Sequence, residues 1–523
     1  MGRASPTRVA RDALIAHDAP RDEESRAWTA ALSVCVISTV VRGIIGASTP
    51  LFPDETYYWE WSRRLAAGYF DHPPVIAWIT ALGTAVFGPT PFGVRVVSVL
   101  LGGVAAVCLC AAARRLGGDR AAFMAALVFA TMPLSAAGLI LATPDAPLLA
   151  FSAAAWYGIV RALDAPRRSR DSLTWWSLSG VALGFAFASK YTSILLPAAV
   201  LLGMLSSRGA RARLRDPEPY VAAIIALVVF LPVLIWNANH AWISLAFQVG
   251  HGLGRARGSI VGRELELIGG QAGLVSPVIF VLLVVATWKG WSERAGTSTA
   301  RMLAVSAAFT FVFFMYSATK RRAEANWPAP AYLPALLLLV SPAVLTAPMR
   351  RWLRIGLGMA AALTSVTYVN AFAPMLPVPA PRDPAARAYG WDDLASAVEA
   401  LPEAASPRTL VAADRYQEAS ELAFHLSRHP QTFALNMVAR GNQYDLWPSL
   451  PRRAAQGDTV ILILDELPGT PTQITQLVPH FDAITRGALV PLRRRSGVVK
   501  NLRIWVLRGW RGTWPTAALR SRS

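Results

Sequence analysis

Apolar runs of bilayer-crossing length recur along this chain, separated by short clusters of arginine. A spanning helix needs about 20 mostly apolar residues. Such runs lie at 27–46, 95–113, 121–141, 145–163, 174–189, 191–206, 219–237, 272–288, 301–319, 328–347 and 352–372. Composition agrees: of 523 residues, 54% are apolar and 16% are charged. Soluble domains carry roughly 25% charge, so the material for a wetted surface is missing. A soluble enzyme, a disordered chain and a disulfide scaffold are excluded. Cys35, Cys108 and Cys110 lie inside apolar runs and read as packing residues.

The basic residues set an orientation. The net charge of +19 comes from clusters between apolar runs, not from a patch on a polar fold, so no nucleic-acid partner is expected. The clusters are Arg3/Arg8/Arg11/Arg21/Arg26, Arg114/Arg115/Arg120, Arg167/Arg168/Arg170, Arg208/Arg211/Arg213/Arg215, Lys289/Arg294/Arg301 and Arg350/Arg351/Arg354. All fall on the cytoplasmic side if the short apolar stretch 74–88 does not cross. The expectation is a polytopic α-helical membrane protein of about eleven spans. The N-terminus is inside, and the first run, near Trp28, is a retained anchor and not a cleaved leader.

The corresponding segments are a cytoplasmic tail at 1–26, a transmembrane domain at 27–372 with an outer loop at 47–94, and a Pro-rich linker at 373–390. Residues 391–523 follow as a soluble domain outside the membrane. There, β-like runs (Thr409–Ala412, Thr459–Leu464, Leu502–Leu507) alternate with helix-like ones (Trp391–Leu401, Tyr416–Ser427), which suggests a small α/β fold. It has no glycine-rich phosphate loop.

Polar residues on the outer side carry the chemistry. Acids are scarce, yet Asp54, Glu55, Glu60 and Asp71 crowd the first outer loop beside Tyr57, Tyr58, Trp59, Trp61 and Tyr69. Carboxylates bind sugar hydroxyls or metal, or act as bases; aromatic faces pack on sugars or form an interfacial belt. Asp145, in Thr-Pro-Asp-Ala-Pro, sits at the outer end of a span, where a carboxylate is costly unless paired; it also suits a helix N-cap. Lys190 sits between two spans, as a phosphate contact or a snorkelling side chain. Lys320-Arg321-Arg322-Ala-Glu324-Ala-Asn326-Trp327-Pro328 brings cations, a carboxylate, an amide and an indole to another outer junction. The loop 238–270 adds Trp242, Gln248, His251, Arg255 and Arg257. Such cations kept outside against the topological bias suit an anionic ligand or lipid headgroups. His425 and His429 read as a surface helix pair, and no histidines show metal-ligand spacing.

Asp-Glu in the first outer loop, a Pro-Pro helix, Thr-Pro-Asp, Ser-Lys-Tyr and Ala-Asn-Trp-Pro together resemble the glycosyltransferase family 39 group of the GT-C superfamily. That group includes protein O-mannosyltransferases and lipid A aminoarabinose transferases. The resemblance covers roughly 45–375, and the tail resembles the outer domain of the bacterial members. It implies a GT-C fold in a bacterial inner membrane. It also implies transfer of a sugar from a polyprenyl phosphate donor, with inversion, to a lipid, glycan or protein acceptor at the outer face. Asp54, Glu55 and Asp145 map to the catalytic acids. Tyr57, Tyr58, His72, Lys190, Arg321, Arg322, Glu324 and Asn326 are the expected substrate contacts; His72 stands where many lipid A-type members have lysine. The resemblance makes no cofactor certain and leaves a divalent metal open. The rival reading is a transporter or flippase of a lipid-linked sugar, which would want charges buried mid-span.

Overall fold

The computed structural model describes residues 21–254, 258–292, 298–375, 378–495 and 497–515. The expectations for Arg3, Arg8, Arg11, Arg255, Arg257 and Arg294 lie outside the described residues, as do positions 376–377 of the linker and the side chain of Arg21.

The apolar runs fold largely as helices, two of them sharing one kinked helix and one divided by a sharp bend. In chain order these are α1 (Arg21–Ser48), α2 (Pro53–Ser62), α3 (Val75–Phe87), α4 (Pro91–Thr131), α5 (Asp145–Asp164), α6 (Arg170–Phe187), α7 (Leu195–Ser206), α8 (Glu218–Asn239), α9 (Ile243–Leu253), α10 (Ile260–Val275), α11 (Pro277–Trp291), α12 (Ser298–Lys320), α13 (Tyr332–Val340) and α14 (Ala347–Phe372). Among the described residues six helices are long and apolar enough to cross a bilayer, or seven if the bent pair α10–α11 is one span. The count of eleven therefore goes beyond what length and composition support. Helix α3, the stretch 74–88, is short, as expected of a non-crossing segment. The segment 238–270, read from sequence as a loop, is instead largely helical, as α9 and α10.

Breaks have local causes. Helix α4 turns at Gly117 and Gly118, the latter at φ +75°. A Cβ on Gly117 would lie 2.5 Å from the Pro342 ring, so the residue must be small as well as pliant. Ser276, at φ +71° before Pro277, bends α10 against α11 by 105°. Alanine dominates the buried seams, including Ala105, Ala112, Ala122, Ala126, Ala150 and Ala153. Small side chains let membrane helices approach closely where no hydrophobic drive separates helix from lipid. Val36, Ile37, Val40 and Ile44 on α1 and Ile224, Leu227, Val228 and Leu231 on α8 face outward, as lipid-exposed surfaces do.

Two of the arginine clusters meet at one end of the bundle. Arg167 and Arg168 pair with Asp216 at 2.7 and 3.2 Å, and Arg213 donates to the Leu163 carbonyl at 2.7 Å. At the opposite end sits the C-terminal domain: α15 (Trp391–Glu399), β1 (Thr409–Ala413), α16 (Tyr416–His425), β2 (Thr432–Ala434), β3 (Thr459–Asp465), β4 (Phe481–Arg494) and β5 (Gly497–Trp510). Its sheet runs β2-β1-β3-β5-β4, parallel across the first three and antiparallel beyond. Buried Arg494 clamps it to the bundle by pairing with Asp383 and donating to the Asn370 carbonyl.

Candidate active site

The first loop starts helix α2 with Pro53 at its N-terminus, where a missing N–H costs nothing. Asp54 and Glu55 share that first turn but not a fate. Glu55 is fully buried. Its carboxylate receives Arg95 Nε at 2.7 Å and Nη2 at 2.5 Å, the Ala142 amide at 2.8 Å and the Phe52 amide at 3.0 Å. Arg95 also donates to the Gly46, Thr49 and Pro50 carbonyls. Glu55, expected among the catalytic acids, is thus occupied in pinning α2 to α4 and to the turn before α5. Asp54 is half-buried and has one hydrogen bond among the described residues, from the Tyr416 hydroxyl to Oδ1 at 3.0 Å. Its other oxygen is unclaimed.

Asp145, Lys190 and Asn326, picked from three separate motifs, meet. Lys190 Nζ lies 2.8 Å from Asp145 Oδ1, and Asn326 Nδ2 donates to Oδ2 at 2.9 Å. Asp145 is not the N-cap, a place Pro144 takes. Its side chain turns to Lys190, which extends from the break after α6 in extended backbone (φ −156°). Asp145 and Asn326 line one part of a cavity of about 630 Å³, whose other walls are mainly apolar residues of α1, α14 and the stretch 133–141.

The first loop also brings Tyr57, Tyr58, Asp71 and His72 together. Tyr57 donates to Asp71 Oδ2 at 2.6 Å and accepts from the Gln443 amide at 2.7 Å, so it is buried and committed to packing and not turned to a substrate. Tyr58 has no hydrogen-bond partner among the described residues. Burial, then the Asp54, Asp71, Tyr416 and Asp145 charges, hold its hydroxyl protonated well above the usual tyrosine range. It is therefore a donor that no acceptor claims among the described residues. His72 packs beside Tyr58, ring centroids 6.2 Å apart, with Nδ1 buried and unpartnered. Burial first, then Lys190, Arg440 and His251, hold His72 neutral.

The remaining expected contacts do not reach this centre. Arg322 pairs with Glu266 at 2.6 Å on the surface. Arg321 is exposed and donates to the Gly250 carbonyl at 3.2 Å. Glu324 is exposed. The loop aromatics do not form an interfacial belt: Tyr57, Trp59, Trp61 and Tyr69 share one apolar core with Trp391, Leu394, Leu422 and Phe424 of the C-terminal domain. His425, expected on the surface, is largely covered between Glu421 and Asp392. No group of three or more His, Cys, Asp or Glu side chains could hold a metal among the described residues.

Tyr416 and Arg440 are the site residues that sequence reasoning missed. Arg440 Nη1 reaches Asp71 Oδ1 at 2.6 Å, and its guanidinium lies over Phe247 at 4.9 Å and Tyr416 at 5.1 Å. Burial opposes its charge, but Asp71 and Tyr416 outweigh that and keep it cationic. Neither residue sits in a motif, and more than 350 positions separate each from its loop partner.

The family model for dolichyl-phosphate-mannose-protein mannosyltransferase matches residues 71–236. The lipid A galacturonosyltransferase of Rhizobium johnstonii is 28% identical over 297 residues, 56% of this chain and 60% of that protein. The undecaprenyl phosphate-α-4-amino-4-deoxy-L-arabinose arabinosyl transferase of Pseudomonas paraeruginosa is 36% identical over 202 residues, 34% of this chain and 35% of that protein. The matches thus span less than two thirds of these relatives' lengths. The crystal structure of ArnT from Cupriavidus metallidurans in the apo state matches with a TM-score of 0.64 at 17% identity, covering 90% of this chain and 97% of that one. The chain has the fold of the GT-C superfamily and is similar in sequence to the glycosyltransferase family 39 group.

Proposed function

We propose that this protein is a membrane glycosyltransferase. It moves a sugar from a polyprenyl-phosphate donor to lipid A or another lipopolysaccharide acceptor at the outer face of the bacterial inner membrane. The observation that carries this reading is that Lys190 pairs with Asp145, which with Asn326 lines one part of a mainly apolar cavity. Such a cavity suits a lipid tail, while the polar cluster suits a headgroup. The named relatives act on lipid A or take an undecaprenyl phosphate-linked sugar, which favours a lipid acceptor over a glycan or protein one.

In the reaction, the bond from the anomeric carbon to the donor phosphate oxygen breaks, and one from that carbon to the acceptor oxygen forms. Asp54, through its unclaimed oxygen, takes the acceptor hydroxyl proton as general base. The acceptor enters opposite the leaving phosphate, so the anomeric carbon inverts. Lys190 offsets charge building on the departing polyprenyl phosphate. Asp145 holds Lys190 and, with Asn326, orients the sugar; Tyr58 donates toward the sugar between the two acids. Asp54→Asn, purified in detergent and supplied with undecaprenyl phosphate-linked sugar and lipid A, is expected to fold normally and transfer no sugar. Near-normal turnover by this variant would overturn the assignment.

A further inference from the structure

The C-terminal domain does more than sit on the bundle. Tyr416 opens helix α16, and Ser420 lies one turn further along the same face. Both reach the first turn of α2. Ser420 Oγ bonds the Thr56 hydroxyl at 3.0 Å and lies 3.3 Å from the Pro53 carbonyl, while Tyr416 donates to Asp54. The Tyr416 ring is itself fixed, against Tyr57 at 4.3 Å between centroids and beneath the Arg440 guanidinium. Arg440 in turn is anchored to Asp71 of the first loop and to Phe247 of α9. Three segments remote in sequence therefore lock one phenol onto one carboxylate.

We propose that Tyr416 is a positioning residue supplied by the C-terminal domain. By holding Oδ1 of Asp54, it leaves the second oxygen turned to the acceptor hydroxyl. The inference rests on the reading of Asp54 as the base. Burial, then the Asp54 charge, keeps the Tyr416 phenol protonated, so it stays a donor through the physiological range. A carboxylate released from such a contact swings about its side-chain torsions. Misplacement of a catalytic group by about 1 Å can cost on the order of 100-fold in rate. Partial loss of orientation should cost on the order of 10-fold.

The test is Tyr416→Phe in the full-length protein, which keeps the ring and its packing and removes the hydroxyl. Donor-dependent kinetics and the melting temperature are measured beside those of Asp54→Asn. The expected result is kcat lowered on the order of 10-fold, with donor KM and melting temperature unchanged. A kcat within about twofold of wild type, while Asp54→Asn is inactive, overturns the positioning role and leaves the base intact. Parallel changes in kcat, KM and melting temperature also overturn it, since they report loosened docking. Activity in Asp54→Asn instead overturns the function from which the inference starts.

Discussion

Two neighbouring acids in one helical turn should separate cleanly under mutation. Glu55 and Arg95 are each about 1% exposed, and the Glu55 carboxylate accepts four hydrogen bonds. Glu55→Ala leaves the Arg95 guanidinium buried without its counter-charge. Breaking a buried pair by removing one partner costs about 3–5 kcal/mol. The amides of Phe52 and Ala142 lose their acceptor as well, which moves the cost toward the upper end. The melting temperature of Glu55→Ala should therefore fall by several degrees. Asp54 is half-buried with one hydrogen bond, and Asn retains the shape; its effect on stability stays within about 0.5 kcal/mol. Detergent-solubilised wild type, Glu55→Ala and Asp54→Asn are compared by tryptophan-fluorescence melting and by sugar transfer. The expectation is a destabilised Glu55→Ala beside an inactive but fully stable Asp54→Asn. If the two variants melt within about 1 °C of each other, the division of labour argued from burial is wrong.

Lys190→Ala should raise donor KM and lower kcat, whereas Lys190→Arg retains part of the activity, because the charge persists while its shape changes; unchanged donor kinetics in Lys190→Ala would remove Lys190 from the phosphate. Stability should also depend on pH through Glu421, whose carboxyl burial raises from 4.5 to about 7, and through His425, which Glu421 and Asp392 hold above its usual value against burial. Both groups bind protons more tightly folded than unfolded: the Glu421 contribution is complete below about pH 4.5 and is lost as pH rises through about 7, while that of His425 is complete below about pH 6.5 and is lost as pH rises through its raised folded value. The 2.5-unit difference at Glu421 corresponds to about 3 kcal/mol. Melting curves of the whole protein from pH 5 to 8 should flatten in Glu421→Gln; an unaltered slope refutes the assignment.

The sequence alone determined the membrane class, because lipid imposes its demand on every spanning segment independently. Length, apolarity and arginine placement can be read without knowing which helices touch. The same locality made the strands at 409, 459 and 502 and the helices at 391 and 416 legible. It also explains why motifs at 145, 190 and 326 could be singled out as polar exceptions in apolar surroundings, although nothing in their spacing said that they meet. Tertiary structure decided the rest. Asp54 and Glu55 are equivalent as letters; only the arrival of Arg95 on α4 makes one an anchor and leaves the other free. The loop aromatics carried no sign of whether they faced lipid, sugar or protein until the C-terminal domain closed over them. Tyr416 and Arg440 lie in ordinary α/β sequence, and their place beside Asp54 and Asp71 exists only because that domain docks on the first loop. A contact between segments hundreds of residues apart is fixed by the packing of every element between them, and no local pattern records it.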